Sequence, residues 1–143
     1  MILYCDTSAL IKRYVEEEGT DTVDGLWSSA FDIVTSVVAF AETVAAFNRK
    51  LREGVLTEKE YTRTLRTFKA DFGSFILVPI TTALNATIER LVRQYPLRGF
   101  DAIHLSSALM IKNSGSIPVQ FACFDRSLNN AALKEGLAVA VQG

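Results

Sequence analysis

At 143 residues the chain suffices for one domain and falls short of two ordinary ones. Hydrophobic residues make up 49% and charged residues 22%, enough to fill a core and too apolar for a disordered chain. With 15 Lys and Arg against 16 Asp and Glu, the formal charge of -1 disfavours a general nucleic-acid coat, which needs a large basic excess, but leaves room for a nuclease whose bound cations supply positive charge.

Residues 2–5 are a continuous apolar run and the first expected strand, followed at once by Asp6. A second strand is expected over residues 31–34. From Val37 to Phe72 the pattern is helical, broken near Gly54, so two helices stand between strands two and three. Thr57 opens Thr-Glu-Lys-Glu, a capping box with Glu60, starting the second of them. Residues 75–78 are the next strand candidate, stopped by Pro79. A helix is expected over 81–95, ended by Pro96, and another over 101–113, stopping near Gly115. Residues 119–124 form a further buried strand, and 137–141 a weak last one.

Continuous rather than alternating apolar runs belong to parallel strands covered on both faces. Alternation with helices therefore predicts an α/β domain, one unit over residues 1–143, with a mostly parallel sheet of four or five strands. Cys5 and Cys123 sit in apolar runs and read as small core thiols. No apolar stretch approaches the roughly 20 residues of a membrane span, and no basic leader precedes Asp6. The expectation is a cytoplasmic protein with no membrane association.

Ligands of open parallel sheets bind beyond the carboxyl ends of the strands, so acids placed there carry the most information. Asp6 follows strand one and Asp125 follows the strand at 119–124; each can also serve as a helix N-cap. Glu42 is the one charged residue between Ile33 and Phe47, with Val38, Ala39, Ala45 and Ala46 as helical neighbours. A carboxylate there loses hydration at a cost that stands uncompensated unless it is paired, metal-bound or protonated; the alternative is an edge position facing solvent beside Thr43. Asp101 opens Asp-Ala-Ile-His-Leu-Ser-Ser-Ala-Leu, as a ligand or a plain N-cap. His104, the single histidine, cannot seed a zinc site and reads as a core residue or a support to the acids. Four carboxylates without a His or Cys cluster make an all-oxygen set suited to Mg²⁺ or Mn²⁺, the cations of phosphoryl chemistry. No P-loop or dinucleotide fingerprint is present. Lys12, Arg13, Arg49, Lys50 and Arg52 flank two of the acidic motifs, as phosphate contacts or as solvated helix faces.

Four segments resemble the PIN-domain family, in particular the VapC-type toxins of toxin–antitoxin pairs. They are Tyr4-Cys5-Asp6-Thr7-Ser8-Ala9-Leu10, Thr35-Ser36 through Glu42, Arg98-Gly99-Phe100-Asp101-Ala102-Ile103-His104, and Phe124-Asp125-Arg126-Ser127-Leu128. Their order and spacing, across nearly the whole chain, carry the resemblance. It implies a three-layer α/β/α sandwich and a metal-dependent endoribonuclease that cleaves RNA with water activated by Mg²⁺ or Mn²⁺. It also implies homodimers and a small antitoxin partner. Asp6, Glu42, Asp101 and Asp125 would be both the catalytic and the metal-binding acids, and Ser8 a hydroxyl orienting one of them.

Two departures stand out: Cys123 where relatives often have Thr or Ser, and Ser127 where they often have another acid. They support an alternative, a non-catalytic or weakly active PIN-like module that binds RNA or protein. A phosphatase or receiver domain on a similar sheet is disfavoured, because Ser8 stands where the phosphatase needs a second Asp. Four carboxylates within a few ångströms repel, so without metal at least one is expected to hold a proton at pH 7. On that reading Glu42→Gln leaves the metal-free protein at least as stable as the parent. Dimerisation is expected near the two-helix insertion, where Leu51, Val55 and Leu65 exceed the needs of one core.

Overall fold

Five strands form one sheet in a computed structural model that describes residues 1–141; residues 142–143 of the expected single unit lie outside the described residues. They are β1 (Ile2–Cys5), β2 (Asp32–Ser36), β3 (Ile76–Val78), β4 (Val119–Ala122) and β5 (Ala138–Val139). The helices are α1 (Thr7–Tyr14), α2 (Thr20–Ser29), α3 (Ala39–Arg52), α4 (Glu58–Phe72), α5 (Asn85–Gln94), α6 (Gly99–Asn113) and α7 (Arg126–Lys134). The sheet runs β3-β2-β1-β4-β5 with every adjacent pair parallel. β1 is central, Ile2 lying opposite Asp32 on one side and Val119 on the other.

Alternate residues of β1 feed two cores, as the period of two requires. Tyr4 packs with Val34, Val78 and Phe121 beneath Leu91, Leu105 and Leu128 of α5, α6 and α7. Leu3 and Cys5 face the other way, against Leu10 of α1, Val23 of α2 and Ala39 of α3. Helices therefore cover both faces of the sheet, the three-layer α/β/α arrangement expected. A third cluster of Val15, Phe47, Leu56 and Phe68 docks the α3–α4 hairpin onto α1. The Phe68 ring lies 5.3 Å from Tyr14 and 5.6 Å from Phe47, both edge-on. The hairpin turns where the sequence breaks: Gly54 adopts φ +77°, and Val55 N–H and Leu56 N–H donate to the Lys50 carbonyl at 2.9 and 3.2 Å. The capping box at α4 is present, Glu60 N–H donating to Thr57 Oγ1 at 3.1 Å and Thr57 N–H to Glu60 Oε1 at 2.9 Å.

Several boundaries differ from expectation. Phe31 is 80% exposed and lies outside β2, which instead continues through the buried Thr35 and Ser36. A polar end is tolerated because the Thr35 hydroxyl donates to the Cys5 carbonyl at 2.7 Å. β4 ends at Ala122, two residues early. The expected helix over 81–95 is a 3₁₀ turn (Thr82–Leu84) followed by α5. α6 begins at Gly99, two residues before Asp101, so Asp101 is not its N-cap. Among the described residues no helix is long and apolar enough to cross a membrane.

The chain builds outward from β1 through β2 to β3, then returns to β1's other side for β4 and β5. The loops leaving β1 and β4 therefore part in opposite directions, and a crevice opens at their carboxyl ends.

Candidate active site

All four expected acids lie on elements that start at this edge. Asp6 leaves β1 and caps α1, Asp125 leaves β4 and caps α7, and Glu42 lies in the first turn of α3, shortly after β2. Asp101 lies in the first turn of α6, a helix that ends just before β4 begins and so starts at the strands' carboxyl side.

Asp6 is the most enclosed, 6% exposed. Its Oδ1 accepts from Ser8 Oγ at 2.6 Å and from Ala9 N–H at 3.1 Å. Ser8 Oγ in turn accepts from Phe124 N–H at 3.0 Å, so one hydroxyl orients Asp6 and ties the β1 and β4 loops together. Burial pushes the Asp6 carboxyl above its ordinary range, against the smaller opposing pull of His104 and the hydrogen bonds from Ser8, Ala9 and Cys123. The capping role and the proposed ligand role coexist, because Oδ1 takes the capping bond.

Glu42 is neither unpaired nor turned to open solvent. Its Oε1 accepts from Thr7 Oγ1 at 2.6 Å and from His104 Nε2 at 2.9 Å, with the side chain 25% exposed. Burial pushes this carboxyl up, but the His104 and Thr7 hydrogen bonds outweigh it and hold Glu42 below its usual range. His104 is buried, and its Nδ1 lies 2.9 Å from the Tyr4 hydroxyl. Nε2–H donates to Glu42, and Nδ1 pairs with the Tyr4 hydroxyl. His104 is thus the support to the acids that its position suggested.

Asp101 Oδ2 accepts from Arg98 N–H at 3.3 Å, with the Arg98 Nε 3.5 Å away. Asp125 Oδ1 accepts from Leu128 N–H at 2.9 Å, and Asp125 N–H donates to Cys123 Sγ at 3.2 Å. Cys5 is a buried core thiol as expected; Cys123 is buried too, but touches both Asp6 and Asp125. Burial and the Asp6 charge push the Cys123 thiol far up, so it stays protonated and can donate to Asp6.

The four acids occupy one edge but do not close around a point: among the described residues no three His, Cys, Asp or Glu side chains are grouped to hold a metal ion. Glu42 and Asp101 line a common pocket of about 480 Å³ with Ile88, Arg98, Gly99, Phe100 and Ile103. Cys123 lies beside the Asp6 carboxyl and contacts Asp125 through that residue's backbone, and Asp6 lies within electrostatic reach of His104, which holds Glu42. In kind the donors fit a hard divalent cation, being carboxylate oxygens, one of them buried against its own charge. Of the four acids Asp6 is the one pushed upward, and burial rather than mutual repulsion is the leading cause.

Three residues of this edge went unassigned in the sequence: Thr7, Arg98 and Phe100. Thr7 had a signal, an oxygen donor next to Asp6. Arg98 and Phe100 lie inside a motif segment, yet nothing local marks their approach to Glu42. Conversely, three of the basic residues weighed as phosphate contacts or solvated faces are engaged within the fold. Lys12 and Lys50 both pair with Glu17, at 3.1 and 3.0 Å, and Arg13 pairs with Asp24 at 2.6 Å.

A PIN domain is matched over residues 3–132. Ribonucleases VapC45 and VapC49 of Mycobacterium tuberculosis are each 33% identical over 143 residues, covering 97% of this chain and 94% of theirs. Among solved structures, M. tuberculosis VapC20, a sarcin–ricin loop cleaving toxin, superposes with TM-score 0.66 at 19% identity, covering 99% of both chains. A toxin–antitoxin complex from Klebsiella pneumoniae gives TM-score 0.62 at 19% identity over 89% of each chain. At those identities the structural likenesses show the fold.

Proposed function

We propose that this chain, which belongs to the PIN-domain family, is an endoribonuclease that cleaves RNA phosphodiester bonds with the aid of a divalent cation, Mg²⁺ or Mn²⁺. The observation that carries the reading is one-third identity to two ribonucleases over nearly the full length, in a chain whose Asp6, Glu42, Asp101 and Asp125 each stand at the start of a helix on the carboxyl side of the sheet. Asp6, Glu42, Asp101 and Asp125 would hold the cation. When bound it supplies a water of lowered pKa and neutralises charge developing on the phosphoryl oxygens. The chain's own residues hold these acids ready. Ser8 fixes the Asp6 carboxylate, Thr7 and His104 fix that of Glu42, and Tyr4 fixes His104.

The chain would act as the toxin of a toxin–antitoxin pair in the cytoplasm, with a small cognate antitoxin as partner. The names of VapC20 and the Klebsiella complex support that assignment. Homodimerisation near α3 and α4 rests on Val55, which is 55% exposed; Leu65 packs against the Phe68 cluster and is withdrawn from that surface. We extend the reading to one domain over residues 1–143.

Cleavage of a mixed single-stranded RNA pool is the test. It should require Mn²⁺ or Mg²⁺, stop with chelator, and fail in Asp6→Asn at unchanged circular dichroism. Retained cleavage in that variant rejects Asp6 as a ligand. Absence of cleavage by the wild type favours the non-catalytic alternative, to which the thiol of Cys123 between Asp6 and Asp125 lends weight.

A further inference from the structure

α6 opens on Arg98-Gly99-Phe100-Asp101, and the pocket beside the acids is built largely from this turn. Its apolar wall is Ile88, Phe100 and Ile103; Glu42, Asp101 and Arg98 are its polar members. Phe100 is 56% exposed. Single exposed aromatics are ordinary, but this one stands on a pocket of about 480 Å³ that also contains two of the acids. Open space adjoins Gly99 just before it, where an added Cβ would meet no atom within 4 Å beyond its chain neighbours and its own helix.

The second element is Arg98. Its side chain is 86% exposed, its Nε rests 3.5 Å from Asp101, and its charge helps hold the Glu42 carboxyl low. A guanidinium has five N–H donors in a planar fork suited to phosphate, and among the described residues its ion pair, with Asp101, runs through Nε at 3.5 Å. An aromatic face on an apolar wall, with a guanidinium at its mouth, matches a ligand that combines flat rings with anionic links. Single-stranded RNA is such a ligand, and its recognition runs through splayed bases stacked on aromatic rings.

We propose that this pocket seats an unstacked base of single-stranded RNA against Phe100, while Arg98 holds an adjoining phosphate beside the acids. The proposal rests on the ribonuclease reading and adds to it the placement of the strand. Stacking is tolerant of base identity, so the pocket sets position along the strand rather than sequence.

The test is fluorescence anisotropy of a fluorescein-labelled, mixed-sequence single-stranded RNA dodecamer, with chelator present and at several salt concentrations. Phe100→Ala should weaken binding at least fivefold with an unchanged salt slope, and Phe100→Trp should restore it. Arg98→Gln should lower the log–log salt slope by about 0.7, the loss of one phosphate contact. Melting temperatures within a degree of wild type keep these readings clear of unfolding. Binding indifferent to Phe100, including no binding by either protein, overturns the proposal. So does unchanged RNA binding by Phe100→Ala with loss of inhibition by the cognate antitoxin, which assigns the pocket to the partner protein. Phe100-dependent binding without Mn²⁺-dependent cleavage would remove the nuclease reading and leave the base pocket standing. Cleavage with Phe100-indifferent binding would do the reverse.

Discussion

Replacing Glu42 with Gln should destabilise the metal-free protein, whereas replacing Asp6 with Asn should not. Both changes remove one negative charge from the same edge, so mutual repulsion alone would make both neutral or stabilising. The structure separates them. Glu42 Oε1 accepts two hydrogen bonds, at 2.6 Å from Thr7 and 2.9 Å from His104. A bond to a charged acceptor contributes roughly 1.5–3 kcal/mol against roughly 0.5–1.5 for a neutral one. Gln keeps the acceptor and loses the charge, about 1 kcal/mol per bond. With the side chain 25% exposed, the pair comes to about 1–2 kcal/mol after screening. For a chain of this length that lowers the melting temperature by about 3–8 °C. Asp6 differs because burial is the leading influence on it; Asn accepts from Ser8 and Ala9 as well and caps α1 as well, without a buried charge.

The pH dependence carries opposite signs. Glu42 is held low in the fold, so its contribution is present above the unfolded carboxylate pKa of about 4.3 and disappears as pH falls through the lower folded value. Asp6 is held high, so its contribution is complete below about 3.9 and is lost as pH rises through the raised folded value. Thermal melts with chelator at intervals between pH 3 and pH 8 therefore show the wild type above Glu42→Gln at neutral pH, with the gap closing in acid. Asp6→Asn should match or exceed wild type at pH 7. A Glu42→Gln protein as stable as wild type at pH 7 would refute the reasoning and restore repulsion as the dominant force on Glu42.

Gly19 adopts φ +97°, and a Cβ there would stand 2.8 Å from both Lys12 Cδ and Phe124 Cε1. Gly19→Ala should cost roughly 1–3 kcal/mol by urea denaturation, and a neutral result would contradict the close approach. Glu135 takes Arg90 at 2.7 Å and the Tyr95 hydroxyl at 2.6 Å, and is drawn low first by Arg90 and then, against burial, by Tyr95. Tyr95→Phe should lower the melting temperature at pH 7, and progressively less as pH falls through the lowered Glu135 range, because Glu135 then protonates in both proteins. Expression should slow bacterial growth, and Asp101→Asn should relieve it; equal toxicity would point to misfolding instead.

What could be read from the sequence was what local pattern encodes. Apolar runs mark β1, Gly54 marks the hairpin turn, and Thr57 with Glu60 marks the start of α4. The short helices α1, α2 and α7 carry no comparable boundary pattern apart from their caps. Thr35 and Ser36 look like the end of a strand because they are polar; their burial is explained by the Thr35 bond to the Cys5 carbonyl and the Val38 N–H bond to the Ser36 hydroxyl. The acids themselves were legible because strand-end position and lone charge are local features. Their pairing was not: Thr7 reaches Glu42 across 35 residues and His104 reaches it across 62. Nor could charge counting foresee that Lys12, Lys50 and Arg13 are consumed by Glu17 and Asp24 while Arg98 stands by the acids.

The central claim is that these carboxylates hold a divalent cation, and calorimetric titration of Mn²⁺ into the metal-free protein tests it without reliance on any substrate. The account predicts saturable binding by the wild type and affinity at least tenfold weaker in Asp6→Asn, whose fold is preserved. Equal Mn²⁺ affinity in the two proteins would contradict it.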